Sequence, residues 1–337
     1  MHRDSGGSAK NAGRGAGKVD GLLLGMLAAV ALASVAPQLG RTGGRLHIEH
    51  YTDAGIFLLF FLHGVNISTE SLRQGAAQWR LHVLVQSCTY LVFPLWWLAL
   101  HTVLHSWVSE DLNLGFFYLS VVPSTVATAV ATTTIARGNV VAAVLNATLS
   151  TFLGVVLTPL WVGLMAQGSG HHMDFAHTMT KIAQLLLLPF LVGQALRPRV
   201  GGWFTRIRPV TSVADRLIIV MLVWTTFSDS VAGGLWSRNG PAVLGMALVG
   251  VAMFLLPMLT FSRWAARRLG LGIEDEITAV MCGSKKSMAS GVPMAKLLFG
   301  SHAALGLVVL PLLFYHQMQL FVCTWLARRY ARRPTAS

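Results

Sequence analysis

Lys285 and Lys286 stand side by side within an apolar run, AVMCGSKKSMASGVPMAKLLFG over 279–300, with about ten residues separating them from either end of the span. That distance is too great for both side chains to snorkel to a membrane surface. A base at the centre of a bilayer costs at least about 2.5–3.5 kcal/mol on insertion scales, so an intramembrane lysine faces a cavity or a partner. On a continuous helix the two side chains project ~100° apart, whereas an unwound stretch after Gly283-Ser284 lets both approach one cavity. The chemistry on offer is anion binding. Two ammonium donors, the hydroxyls of Ser284, Ser287 and Ser290, and the amide end of a half-helix suit a carboxylate, sulfate or phosphate. The competing reading makes this run an outer loop or a re-entrant hairpin.

A second segment, VVPSTVATAVATTTIARG over 121–138, shares these features: small and hydroxylated residues, a proline, and a base and a glycine at its end. Proline removes a backbone donor and clashes with the preceding turn, while Ser and Thr offer oxygens to freed backbone groups. Both segments are poor continuous helices. Irregular backbone inside a membrane is tolerated only when it is buried in protein or lines a water-filled cavity. Interrupted spans at matching places in two halves mark a mid-membrane substrate site; the alternative is two kinked helices whose small residues allow close packing.

Embedded acids are scarce. Asp229 lies well inside a run and is either a counter-ion or proton site for the lysines or a polar residue near the outer surface, and Asp215 reads as an interfacial pair with its neighbour Arg216. None of the twelve histidines forms an HExxH or a two-His helical pair, and His63 and His316 read as packed, hydrogen-bonded side chains. GxSxG, Walker, GxGxxG and kinase signatures are missing as well. The expectation is a protein that is not an enzyme and carries no metal site.

The elements that must hold these residues are membrane spans. Of 337 residues 54% are hydrophobic and only 12% charged, with a mean hydropathy of +0.59. Soluble domains carry about 25% charged residues, so the composition excludes a disordered chain, a fibrous repeat and almost any cytosolic enzyme. Apolar runs approach the ~20 residues that cross a ~30 Å hydrocarbon slab. The first covers Gly21–Pro37, and others centre on 54–68, 81–107, 114–136, 140–166, 179–196, 213–236, 241–262, 276–299 and 303–327, which makes ten. The first run reads as a span rather than a removed signal peptide, since no small-residue cleavage site follows a charged start.

With both termini cytoplasmic, eighteen of the 26 bases fall in inner segments and five outside (Arg41, Arg45, Lys181, Arg238, Lys296), while Arg216, Lys285 and Lys286 remain in or near the membrane. The net charge of +13 therefore reads as cytoplasmic anchoring, with the bilayer and not a nucleic acid as partner. In a bacterium the membrane would be the plasma (inner) membrane. Cys88, Cys282 and Cys323 are scattered and read as small hydrophobes. Trp96-Trp97, Phe116-Phe117-Tyr118, Trp161, Trp236 and Trp325 read as interfacial anchors. Ten spans divide at His171–Asp174 into two fives, and an odd number inverts the second half. The expected organisation is a basic tail over 1–20, one five-helix repeat over 21–168, its inverted counterpart over 175–330, and a cytoplasmic tail over 331–337.

Three stretches carry a resemblance: IFLLFFLHGVNISTESLRQGAAQWRLH (56–82), PSTVATAVATTTIARGNVVAAVLNATLSTFLGVVLTPLW (123–161) and GSKKSMASGVPMAKLLF (283–299). They resemble the bile acid:sodium symporter superfamily, and within it the branch of the seventh vertebrate member of solute carrier family ten and its bacterial relatives. The likeness extends over about residues 21–330. It implies an all-α membrane fold of ten helices in two inverted five-helix repeats. The first two helices of each repeat would form a panel and the last three a core, where the fourth and ninth helices break and cross near Pro123–Thr128 and Gly283–Ser287. Substrate contacts would come from Lys285, Lys286, Ser284, Ser287, Pro123, Ser124, Thr125 and Thr128. Secondary or ion contacts would come from Gln86, Asn146, Thr148, Ser290 and Asp229.

Members of that superfamily carry organic anions with sodium, but the sodium chemistry transfers poorly. The ninth-helix acid of sodium-coupled relatives aligns with Met281, a glutamine and an asparagine align with Lys285 and Lys286, and a third-helix glutamine aligns with Thr89, with Gln86 nearly one turn away. A Ser-Asn pair aligns with Thr128 and Ala129. The lysines stand in for the ions.

The resulting expectation is a secondary active transporter of a small organic anion that works by alternating access without sodium or another cofactor. Proton symport or anion exchange is its expected coupling. One alternative keeps sodium coupling, with ligands from Gln86, Thr128, Asn146 and Ser290; another is a regulatory membrane protein that binds without net transport.

Overall fold

The computed structural model describes residues 21–66, 78–168, 180, 183–234, 240, 242–300, 302 and 304–333, and all regular structure in them is helical. The expected tail over 1–20 and the dividing loop His171–Asp174 lie outside the described residues. Helices α1 (Gly21–Val35) and α2 (Glu49–Asn66) are followed by α3 (Trp79–Ser87), which runs through a π-helical turn at Cys88–Val92 into α4 (Phe93–Leu104). Next come α5 (Glu110–Val121), α6 (Ala127–Ile135) and α7 (Val140–Gly168). A second π-helical turn at Ala183–Leu187 leads into α8 (Leu188–Arg206), and α9 (Arg208–Ala232), α10 (Ala242–Arg268), α11 (Ile273–Gly283), α12 (Met288–Phe299) and α13 (Leu305–Ala331) are the remaining helices among the described residues, apart from one turn at Pro37–Gly40. Five segments are long and apolar enough to cross a membrane: Trp79–Val103, Val140–Met165, Pro209–Ala232, Ala242–Arg268 and Leu305–Ala331.

The two proline- and serine-rich segments are broken. Between α5 and α6 the chain leaves the helix at Val122, whose backbone is extended, and Pro123 has no N–H with which to continue the ladder. Helix α6 has resumed by Ala127, so Thr128 sits in a first helical turn, inside the expected crossing range but beyond the break itself. Between α11 and α12 the break covers 284–287 and ends at Ser287, whose hydroxyl caps α12 by accepting from Ser290 N–H. Both broken pairs begin well. Ser109 caps α5, with Glu110 and Asp111 in its first turn, and α11 opens with Glu274, Asp275 and Glu276, where negative charge meets the positive end of the helix dipole.

Two groups of helices result. In one, α2 packs along α8 and α1 along α9; in the other, α13 packs against α5 and α10 against α11 and α13, with α3, α4, α6, α7 and α12 around them. The groups meet mainly where α9 touches α12 and α13. The α2–α8 contact depends on two glycines. A Cβ on Gly64 would lie 2.1 Å from the Phe190 carbonyl oxygen, and one on Gly193 would lie 2.3 Å from that of Phe61. Small residues let helix backbones touch where lipid tails remove any hydrophobic incentive to pack.

Two expectations are corrected. Phe116, Phe117 and Tyr118 are not interfacial anchors, nor is Trp97. All four are buried, with Phe116 stacked on Phe254, Phe117 edge-on to Trp97, and the Tyr118 hydroxyl donating to the Gly291 carbonyl. Aromatic rings near a span end in sequence have turned inward because α10 and α12 lie against them. Trp325, 60% exposed, fits the anchor reading, and Trp236 lies outside the described residues. Asp215 does not pair with Arg216, since adjacent helical residues point apart and Asp215 Oδ1 is buried without a hydrogen-bond partner.

Gly64→Val or Gly193→Val forces α2 and α8 apart, and the expected cost is about 1–3 kcal/mol, as for overpacking elsewhere. A drop in thermal midpoint in detergent checks it, with Gly202→Val, which has open space around its Cβ, leaving the midpoint unchanged.

Candidate functional site

The site begins with carbonyl groups that the helices cannot satisfy. In the π-helical turn Phe93 N–H bonds to Cys88 O, and the next residue, Pro94, has no N–H, so Thr89 C=O has no backbone donor ahead of it. At the end of α5 the last carbonyls lack intrahelical partners, as at every helix terminus. Thr158 Oγ1 donates to Val121 O at 2.7 Å, and Ser287 N–H donates to Pro123 O at 2.7 Å. Thr89 O, Ser120 O and Val122 O then converge on one point, and the Lys286 ammonium occupies it, at 2.9, 2.7 and 3.0 Å.

Three acceptors use all three N–H bonds of an ammonium. The Phe93 ring lies 4.0 Å below the same nitrogen, presenting its negative face. The charge also sits at the C-terminal, negative end of α5, where a cation is favoured. The backbone of Lys286 is clamped separately: its N–H donates to Gln319 Oε1, and Gln319 Nε2 donates to its carbonyl, both at 2.9 Å. Two residues earlier, the Ser284 carbonyl accepts from Tyr315 OH at 2.6 Å.

Lys285 points the other way. Its ammonium donates to Thr128 O and Thr132 Oγ1, each at 2.7 Å, so two acceptors serve three N–H bonds. Beside them, Thr128 Oγ1 is buried without a hydrogen-bond partner. Both lysines are fully buried, and their partners are carbonyl and hydroxyl oxygens rather than carboxylates. The two breaks are tied reciprocally, by Ser287 N–H to Pro123 O and by Ser124 Oγ to Cys282 O at 2.7 Å. Ser124 N–H in turn rests on Ser150 Oγ at 2.9 Å.

Two interrupted helices joined at their breaks, with a lysine pair between them, are the feature that the recognised stretches carry. The sequence profile of the SBF-like CPA transporter family, which is of the bile acid:sodium symporter type, matches residues 20–332. The chain belongs to this family. Its relatives include protein PA2026 of Pseudomonas aeruginosa, 45% identical over 315 residues that make up 93% of each chain. Another is the Escherichia coli protein named "Putative symporter YfeH", 39% identical over 323 residues and 94% of each chain. The rat sodium/bile acid cotransporter 7 is 28% identical over 303 residues, 89% of each chain. The recognition of both the superfamily and its branch is thus borne out. The relatives that are named for an activity are named for transport and not catalysis. As a member of a transporter family with several apolar helices, the chain is an integral membrane protein.

The two joined breaks bring together Lys285, Lys286, Ser284, Ser287, Pro123 and Ser124, with Thr128 reached by the Lys285 ammonium; Thr125 is buried in the first break. Ser290 joins them through its bond to Ser287. Gln86 and Asn146 form a separate pair, Gln86 Nε2 donating to Asn146 O at 3.0 Å while Gln86 Oε1 stays buried and unpartnered. Thr148 is buried on α7. Asp229 is not brought to the lysines. It accepts from Thr42 N–H and Thr42 Oγ1 at 2.7 and 2.9 Å and lies 3.5 Å from Lys296.

Sequence reasoning missed Gln319, Thr132, Phe93 and the three carbonyls that hold Lys286. A signal existed for the first, because a glutamine inside the last apolar run is as anomalous as a lysine. Pro94 marked the π-helical turn, though only the fold shows whose ammonium answers it.

Gln319→Leu leaves Lys286 N–H and C=O buried and unpartnered, at about 1–3 kcal/mol for each group. A lowered thermal midpoint, together with a larger loss than Gln317→Leu causes, checks that the clamp and not mere polarity is at stake.

Proposed function

We propose that this protein is a secondary active transporter of a small organic anion, working by alternating access across a ten-span inverted repeat. In this reading α1, α2, α8 and α9 form the panel, and the other helices form the core, with α5–α6 and α11–α12 as the broken fourth and ninth spans. The packing supports it: α2 on α8 answers α1 on α9, and α6 on α7 answers α12 on α13, as two related halves require. Both termini would face the cytoplasm, in keeping with the distribution of bases.

The observation that carries the substrate class is the lysine pair at the joined breaks, two buried cations whose partners include no carboxylate. Lys286 is bonded to its limit and contributes charge alone. Lys285 keeps an N–H unspent beside the unpartnered Thr128 hydroxyl, and the first turn of α12 adds the backbone amides of Met288 and Ala289, since Ser287 N–H is taken by Pro123 O and Ser290 N–H by the Ser287 hydroxyl. These groups are where an anion would be met. Binding energy comes from charge-assisted hydrogen bonds, and rocking of core against panel exposes the site to alternate sides.

Sodium is not part of this cycle, because the carbonyl oxygens that suit a hard cation are already taken by Lys286 and the position of the relatives' acid is the buried Met281. Charge balance leaves proton symport or exchange of one anion for another. The sodium-coupled reading keeps one observation in its favour, the unpartnered Gln86 oxygen next to Asn146.

Purified protein in liposomes, tested over a panel of anionic metabolites, is expected to take up at least one of them, with uptake falling at least tenfold in the Lys285→Ala/Lys286→Ala double variant. Uptake of every tested anion unchanged in that variant would sink the proposal. Sodium should produce no thermal shift where the transported anion does; the reverse pattern returns sodium to the mechanism.

A further inference from the structure

We infer that the Lys286 ammonium fills a built-in site for a monovalent cation of ammonium type, a site that the chain occupies itself and that takes a free ion when the side chain is removed. The site is made by the surrounding elements and not by the lysine. Thr89 O is released by the Phe93 bond to Cys88 and the missing N–H of Pro94; Ser120 O and Val122 O are released by the end of α5 and the break after it. Each oxygen has its own structural cause, and all three would face the same point with no lysine present.

The geometry fits a cation with N–H donors. The three oxygens lie at 2.7–3.0 Å from the nitrogen, the hydrogen-bond range for N⁺–H···O, and the ring of Phe93 closes a further side at 4.0 Å. No carboxylate takes part, so the site carries only the partial charges of carbonyl dipoles and the end of α5, and a monovalent ion matches it better than a divalent one. Lys285 offers a control within the same turn of chain. Thr128 O and Thr132 Oγ1, its two acceptors, lie within or beside the first turns of α6, where the Thr132 hydroxyl already donates to Thr128 O at 2.7 Å. Removing Lys285 therefore orphans little.

The inference stands on this geometry and does not require that an anion be transported. Lys286→Ala, purified with the full chain in detergent, is the test, with ammonium chloride and methylammonium chloride as probes and choline chloride at equal ionic strength as the control for screening. The thermal midpoint of Lys286→Ala should lie below that of the native protein and recover by roughly 2–4 °C with ammonium or methylammonium, rising with the logarithm of their concentration. Native protein and Lys285→Ala should not respond, and choline should do nothing. Equal responses in native protein and Lys286→Ala, a response to choline as large as to ammonium, or no response at all overturns the inference. Lys286→Gln, which keeps one amide group near the oxygens, is run in parallel in case Lys286→Ala aggregates. If both aggregate with ammonium present throughout purification, the site does not hold a free ion and the inference fails. Because the readout is stability, its failure is distinct from a failure to find a transported anion.

Discussion

A backbone carbonyl inside a membrane must find a donor, because no water is there to supply one. This constraint shapes the centre of the fold. Breaking α5 and α11 frees carbonyls and amides in the same small volume, and the π-helical turn before Pro94 frees one more. The two breaks satisfy each other through Ser287 with Pro123 and Ser124 with Cys282, and what they cannot satisfy falls to Lys286, Thr158, Tyr315 and Gln319. A lysine in the hydrocarbon layer is costly on its own. Here its cost and the cost of three orphaned acceptors cancel against each other.

The same economy of partners appears at the far ends of the broken helices. Glu276, in the first turn of α11, receives Arg263 and Arg267 from α10 and Tyr330 from α13, while Arg333 donates to the carbonyls of Ala136 and Arg137 just beyond α6. Asn139 links that corner to Gln78 and Asp275. The outer halves of both interrupted helices are thereby anchored to continuous ones, while their inner ends are held by each other and by side chains of the neighbouring helices, among them Thr158, Tyr315 and Gln319.

Much of this was legible in the residues. Adjacent lysines in an apolar run, proline with serine and threonine in two such runs, and the charge asymmetry of the loops are compositional signals, and they suffice for a helical membrane protein with two interrupted spans; the family rests instead on the resemblance of the stretches 56–82, 123–161 and 283–299. The partners were not legible. Lys286 is held by main-chain oxygens, which every residue has, and their availability depends on where a helix ends or shifts to a wider turn. The burial of Phe116–Tyr118 was missed for a related reason: nearness to a span end in sequence says nothing about which neighbour covers the ring. Scarcity of acids in the membrane makes Asp229 a candidate counter-ion for the lysine pair as readily as a polar residue near the outer surface, yet its cation is Lys296, on the same half-helix as the capped Ser287 but near its other end.

A positive charge bonded to the chain cannot be left behind on the far side of the membrane. A carrier that borrows sodium releases it with the cargo, so the ion's gradient and charge enter every turnover. On the anion reading Lys285 and Lys286 would instead return with the empty protein, and their contribution to the charge moved per cycle would be zero. On the anion reading, the current then equals the charge of the cargo alone, and each elementary charge is worth about 2.3 kcal/mol per 100 mV. In a cell that is negative inside, such a carrier left to itself runs outward as an electrogenic exporter. It imports only if a second charge, a proton or a departing anion, balances the first.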